Sequence, residues 1–324
     1  MKRFISLDYI RVISILGIVL CHCCYGITGM SFLGSFLGST FNVVFLILSA
    51  FLLGLSWEKK QYQEFKMSFL IHRISKLMYS YYPFVVMMFV FLYMTDYHVT
   101  IKDWIMHLLF LPWFDKLPGF GHLWFVTMIV ICYIGIYVVS KPFLKMLRKV
   151  KIGGVILAAL FQIILGRVGL PNYIFIYLIL YLLVFLNARK ILEWINRIHI
   201  RTMMTVCCIV VPIVILLFYL DLTNKYTSVW GGLISAMLLL GLLNKLFNNA
   251  KENKIISFIS LISFEIYLVH HVFCFGEFSL FKFIGNPILG IIVIFALSLV
   301  LAYLLHLVSK KISASLAKQL MTKV

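Results

Sequence analysis

Apolar runs of about 17 to 25 residues recur along the whole chain, separated by short polar breaks, and that is the length a helix needs to cross a hydrocarbon core. They predict an all-α integral membrane bundle of about ten transmembrane helices, at 9–28, 37–56, 78–95, 121–140, 152–168, 171–188, 203–220, 229–247, 255–275 and 287–308. Only Gly166-Arg167-Val168-Gly169-Leu170-Pro171 separates the fifth from the sixth, so this break reads equally as a re-entrant turn. No soluble domain, low-complexity linker or internal repeat interrupts the pattern, and residues 1–324 read as one transmembrane domain. Two stretches between spans are longer. The first, 57–77, is basic, and its second half from Phe65 to Leu77 has the pattern of an amphipathic segment lying at the interface. The second, 96–120, carries Trp104, Pro112, Trp113 and Pro118, which suit either the headgroup layer or a lid over a pocket.

Composition agrees with the pattern. The chain is 63% apolar and 12% charged, with a mean hydropathy of +1.04, far outside the range of soluble domains. Its net charge of +18 invites a nucleic-acid partner, but the positions of the charges argue for topology instead. With the N-terminus inside, only Lys102, Lys116, Arg167, Lys225 and Lys282 of the 29 Lys and Arg fall outside. Basic loops are retained in the cytoplasm, so both termini are expected there, with membrane lipids as contacts and no nucleic acid. Arg11 interrupts the first apolar run, which is therefore expected to remain as a span and not to be cleaved as a signal peptide. The cysteines at 21, 23, 24, 132, 207, 208 and 274 all fall in or beside spans. Successive residues of Cys21-His22-Cys23-Cys24 point about 100° apart on a helix and cannot converge on one ion. No metal site is expected.

Four segments hold most of the intramembrane polarity. In the first span, Arg11 and His22 are eleven residues apart, a separation that returns to within about 20° of one helical face and rises about 16 Å. Ser14 and Tyr25 continue that face. Ionisable residues inside a span are costly and mark sites. In the second span, Ser49 stands beside Ala50, a pairing that also suits close helix packing. His72, Arg73 and Lys76 precede Tyr79, Tyr81, Tyr82 and Pro83 at the entry to the third span, where basic residues also anchor helix ends. In the ninth span, Ser263, Tyr267 and His270 follow i, i+4, i+7 and share a face, whereas Glu265 points elsewhere. A carboxylate there needs a proton or a partner, either Arg11 or a group on another helix.

The predicted topology brings His22, His122, His270 and His271 to a similar, outer depth, and leaves Arg11, Arg73 and Lys76 at the cytoplasmic level. Imidazole suits general-base work near neutral pH, and guanidinium suits phosphate. A phosphate-bearing donor held from inside, with its reactive end reaching histidine, would span the two levels.

In these residues the chain resembles the acyltransferase type 3 family, multispanning bacterial membrane enzymes that acylate carbohydrates. Leu7, Asp8 and Arg11 match the family's L-D-x-x-R-x-x-A opening, with Ser14 for the alanine and His22 at the expected distance. Phe45 to Phe51 matches F-F-x-x-S-G-F, with Leu46 for the second aromatic and Ala50 for the glycine. Arg73 and Lys76 stand at R-x-x-R, with Pro83 later than usual. His122-Leu123-Trp124-Phe125 and Ser263-Phe264-Glu265-Ile266-Tyr267-Leu268-Val269-His270 resemble H-L-W-F and S-F-x-I-Y-L-x-H.

The resemblance implies transfer of an acyl group, usually acetyl, from acyl-coenzyme A to a sugar hydroxyl of a surface polysaccharide or lipid-linked precursor. Acyl-coenzyme A would be a co-substrate, with no bound cofactor. It implies His22 as the catalytic residue, with Glu265 a catalytic or proton-relay candidate. Arg11 and Arg73 fall at the donor site, joined by Lys76 and Ser49. His122, Trp124, Tyr267 and His270 are candidates to orient the base or hold the acceptor. The expected location is the bacterial cytoplasmic membrane, and the expected form is a stand-alone one lacking the hydrolase-like C-terminal domain of many relatives. Direct transfer and an acyl-histidine route stay open, as do monomer and homodimer. A transporter or flippase of a glycan intermediate is the alternative, although no paired halves with matching broken spans are evident.

Overall fold

The computed structural model describes residues 5–60, 65–95, 97–112, 117–140, 160, 164, 173–222, 227–274 and 276–321. Every regular element among them is helical. Numbered in chain order, these are α1 (Ile5–Gly26), α2 (Ser31–Lys59), α3 (Met67–Met94), α4 (Ile101–Leu108), α5 (Trp124–Val139), α6 (Tyr173–Arg197), α7 (Ile200–Tyr219), α8 (Thr227–Leu246), α9 (Lys254–Leu261), α10 (Ser263–Val269), α11 (His271–Cys274) and α12 (Pro287–Met321), with 3-10 turns at Gly121–Leu123 and Leu280–Lys282. Seven stretches are long and apolar enough to cross a membrane: α1, α2, α3, Gly121–Val139, α7, and the bulk of α8 and of α12. They fall on the first four, the seventh, the eighth and the tenth of the expected spans. The fifth, 152–168, lies outside the described residues apart from Leu160 and Ile164, as does the break at 166–171.

The chain divides into two compact units. One comprises Met1–Leu70 and Ile131–Ser260, the other Ile71–Val130 and Leu261–Val324. In the first, α2 is the hub, in contact with α1, α6, α7 and α8. Its sequence explains this: no charged residue occurs from Ser31 to Trp57, and a helix apolar all round is a buried one. Two glycines set how closely its neighbours approach. A Cβ on Gly232 of α8 would stand 2.5 Å from the carbonyl oxygen of Ser39, and one on Gly54 would meet the carbonyl of Phe185 on α6. Only hydrogen fits at these crossings. Beside Gly54, Trp57 stacks on Phe185 with ring centroids 4.8 Å apart.

The stretch from Phe65 to Leu77, expected as an amphipathic segment, is joined to the third span. Phe65 is buried, its N–H bonded to Ser140 Oγ at 3.0 Å, and from Met67 onward the chain enters α3, which continues through Pro83 to Met94. No helix breaker separates the basic turn from the apolar one, so a single helix forms. One expectation is corrected: the ninth span, 255–275, is not one helix. It is divided at Ile262 (φ −95°, ψ 13°) and beside His270 into α9, α10 and α11. Asn253 opens it by accepting the backbone N–H groups of Ile255 and Ile256, a side-chain cap of ordinary kind.

In the second unit, the stretch after α3 carries a short helix of its own. A reciprocal Thr100–Asp103 capping box opens α4, and α4 buries His107. Left-handed φ values at Phe110 and Gly119 (56° and 83°) then turn the chain into the Gly121–Leu123 turn.

Candidate functional site

In the first unit, α1 forms unbroken over the Arg11–His22 stripe, so the eleven-residue spacing holds as read. Both side chains are half-buried. Near its start, Ser260 of α9 donates to Asp8 Oδ1 at 2.8 Å, and Arg11 Nη1 donates to Ser260 Oγ at 3.1 Å. Arg11 lies 3.8 Å from the same carboxylate oxygen. One hydroxyl thus serves as donor and acceptor between a carboxylate and a guanidinium. Around this trio, Ser6 donates to Asn244, and Tyr9 stacks on Phe247 at 4.6 Å while its hydroxyl reaches the carbonyl of Lys251. Ser14 is fully buried and donates to the carbonyl of Ile10, as helical serines do.

At the other end of α1, His22 Nδ1 is 3.0 Å from the carbonyl oxygen of Ile18. A carbonyl only accepts, so in the neutral ring Nδ1 carries the proton and Nε2 holds the basic lone pair. Tyr25, one turn on, shares a hydrogen bond of 2.9 Å with Ser35 of α2. Ser49 is 3.0 Å from the hydroxyl of Tyr181 on α6, a polar contact within helix packing.

The second unit gathers the other expected residues. Glu265 is buried at 6% exposure and does not need Arg11: Ser80 of α3 donates to its Oε1 at 2.9 Å, and His306 Nδ1 of α12 lies 3.1 Å from the same oxygen. A further hydrogen bond of 3.0 Å joins the hydroxyls of Ser80 and Ser309. The other-helix alternative is therefore the one realised. The basic partner of Glu265 is thus an imidazole and not a guanidinium.

Beside this network stands a cluster of imidazoles and phenols. His122 Nε2 donates to the carbonyl of Leu268 at 3.0 Å, and the Tyr267 hydroxyl donates back to the carbonyl of His122. His122 stacks on His271 at 4.4 Å and meets His270 edge-on at 5.4 Å. His270 Nδ1 bonds the carbonyl of Ile266 at 3.0 Å, the same i to i−4 arrangement as His22. Tyr81 bonds His107 Nδ1 at 3.0 Å, and His107 packs on Phe120 at 4.5 Å. All of these side chains are buried. Because α10 begins afresh at Ser263, Tyr267 and His270 face the Gly121–Leu123 turn while Glu265 faces α3 and α12, the divergence that helical spacing predicts.

Arg73 is half-buried and Lys76 exposed, both in the first half of α3. Trp124 is half-buried at the first position of α5, edge-on to Phe125 at 5.9 Å. Among the described residues, no group of three or more His, Cys, Asp or Glu is arranged to hold a metal ion. Sequence reasoning missed Ser80, His306, Ser309 and His107. A signal for His306 was present, since it is an ionisable residue within the tenth expected span. Nothing local marks Ser80.

Residues 4–307 of the chain match the model of the acyltransferase domain of the type 3 family. No curated protein and no solved structure matches it. The chain belongs to that acyltransferase family, and the match takes in Arg11, His22, Glu265 and His306. With several apolar helices of spanning length, it is a multi-pass membrane acyltransferase of that family.

Proposed function

We propose that this protein is an O-acyltransferase of the bacterial cytoplasmic membrane, with both termini inside, that moves an acetyl or similar short acyl group from acyl-coenzyme A to a hydroxyl of a surface polysaccharide or its lipid-linked precursor. The observation that carries the reading is His22 on α1: its Nδ1 is committed to the Ile18 carbonyl, which orients the ring and leaves the basic lone pair on Nε2, in a chain of an acyltransferase family.

The acceptor hydroxyl attacks the thioester carbonyl carbon, and His22 Nε2 takes its proton as the new C–O bond forms. The tetrahedral intermediate collapses, the C–S bond breaks, and the departing thiolate takes the proton from the imidazolium. An acyl-histidine route uses the same nitrogen as nucleophile. Arg11, Arg73 and Lys76 are the donor's phosphate partners in this reading. Arg11 is already oriented by Asp8 and Ser260, which fixes the guanidinium before any ligand arrives, and Ser49 of α2 is a further donor contact in this reading. His122, Trp124, Tyr267 and His270 help to shape the acceptor side, and Glu265 relays or holds charge.

The test is release of free thiol from acetyl-coenzyme A by the protein in nanodiscs, with and without a carbohydrate acceptor. His22→Ala should lower the rate about 10³-fold, the scale of a lost general base, while the protein remains folded. Undiminished turnover in His22→Ala overturns the assignment. Glycan movement without thioester consumption would instead identify a carrier.

A further inference from the structure

In the first unit the chain turns from α6 into α7 through Ile198 and His199, and the last turn of α8 closes on the same place. Together they form a recess of about 510 Å³, within the range of small-molecule sites, about 300 to 1,000 Å³. Arg197 from α6, His199 from the turn and Lys245 from α8 line it, with the amides of Asn196 and Asn248. Lys245 Nζ donates to the carbonyl of Asn196 at 3.2 Å, which uses one of three ammonium protons and holds the charge against the end of α6. His199 caps α7, its Nδ1 accepting the backbone N–H of Arg201 at 3.3 Å. A neutral ring whose Nδ1 accepts carries its proton on Nε2, as a donor. The first turn of α7, a helix of 20 residues, adds its positive end.

These donors are of the kind a phosphate group recruits. The nearest acid along α6, Glu193, has a cation of its own: Arg189 pairs with it at 3.1 Å and with Glu58 at 2.8 Å. What carries the phosphate is read from α7. Val206, Ile209, Ile213, Leu216 and Leu220 are all exposed. His199, Val206, Ile213 and Leu220 recur every seven residues, and each such step returns to within about 20° of one helical face. The recess therefore stands at the foot of an exposed apolar stripe. Twenty residues of helix rise about 30 Å, the thickness of a hydrocarbon core. Trp194, exposed one turn before Ile198, suits the headgroup layer at that end.

We propose that this recess binds the headgroup of an anionic phospholipid whose acyl chains lie along the exposed face of α7. The phosphate accepts from Arg197, Lys245 and His199 Nε2, and a chain covers Val206, Ile209 and Ile213. A zwitterionic headgroup brings its own cation against Arg197 and Lys245, so net charge selects among lipids. A soluble phosphate would use the recess and leave the stripe uncovered. Basic pockets between membrane helices hold anionic headgroups in this way. The inference is independent of the transfer reading, since none of these residues enters that chemistry.

The experiment uses the full chain in detergent, with retained lipid counted by native mass spectrometry. Phosphatidylglycerol and phosphatidylcholine with the same acyl chains are titrated in separately, each with and without glycerol 3-phosphate as a soluble headgroup probe. One phosphatidylglycerol should be retained saturably at concentrations where phosphatidylcholine is not. Arg197→Gln and Lys245→Gln should each weaken that retention about fivefold, the scale of one basic residue near an anionic lipid surface. Lys245 also holds the Asn196 carbonyl, so Arg197→Gln decides the matter alone should Lys245→Gln not fold. Retention of neither lipid, equal retention of both, or retention indifferent to Arg197→Gln overturns the proposal. Displacement by glycerol 3-phosphate at concentrations comparable to the lipid also overturns it, and makes the recess a site for a soluble phosphate.

Discussion

Asp8 in the first unit and Glu265 in the second are both buried carboxylates that accept a serine hydroxyl and lie beside a base, but the bases differ. Asp8 has Ser260 and Arg11, and a guanidinium stays protonated at any physiological pH. Glu265 has Ser80 and His306, and an imidazole can gain or lose its proton in that range. The first trio is a fixed ion pair that ties α9 to α1 and orients Arg11. The second joins α10 to α3 and α12 through hydrogen bonds to one carboxylate oxygen. Similar geometry therefore pairs a buried carboxylate with a guanidinium in one unit and with an imidazole in the other.

The sharpest way to break this contrast is Asp8→Ala. It strands a guanidinium that is 30% exposed, so the loss belongs at the lower end of the range for broken buried pairs, about 3 kcal/mol. Thermal unfolding in detergent would measure it, and combining Asp8→Ala with Arg11→Met should recover most of it if the pair is an anchor. Glu265→Gln preserves shape and a hydrogen-bond acceptor for Ser80, so it should cost only about 1 kcal/mol of stability. Acyl transfer should nevertheless fall about 100-fold, the lower scale of general acid–base catalysis. Activity that survives the glutamine would make Glu265 an anchor like Asp8 and erase the distinction.

A smaller effect separates the two halves of the Glu265–His306 contact. His306→Asn retains an N–H donor, and His306→Leu does not, so the leucine variant should be less stable by about 1 kcal/mol. Equal melting temperatures would mean that His306 contributes through packing alone. The smallest effect is a control on buried hydroxyls lacking any partner. Thr40 and Ser235 are fully buried with unbonded hydroxyls, so Thr40→Val and Ser235→Ala should change stability by less than about 0.5 kcal/mol or raise it. A clear loss at either position would reveal a bond made by the hydroxyl and place it with Ser80 and Ser260.

These cases show where reading from residues succeeds. The Arg11–His22 stripe was legible because α1 runs unbroken, and on a regular helix spacing alone determines the face. The divergence of Glu265 from Tyr267 and His270 was legible for the same reason, since those residues share α10 or cap it. The continuous helix assumed over 255–275 was not correct, and no proline or glycine in that segment marks the break after Leu261. The partner of Glu265 was equally out of reach: Ser80 is 185 positions away, and His306 stands 41 positions on, in another helix.

The sequence by itself determined a helical membrane protein of an acyltransferase family, the face shared by Arg11 and His22, and the presence of costly polar groups within apolar spans. Those features depend on composition and on a helical period that operates over a few residues. Only the tertiary structure decided that Ser260 bridges Asp8 and Arg11, that His306 and Ser80 hold Glu265, that His107 joins Tyr81, and that Arg197, His199 and Lys245 line one recess. A buried polar group must find a partner, but its own helix does not say which neighbour will face it. Such pairings join residues far apart in sequence, as with Ser260 and Asp8 or Ser80 and Glu265.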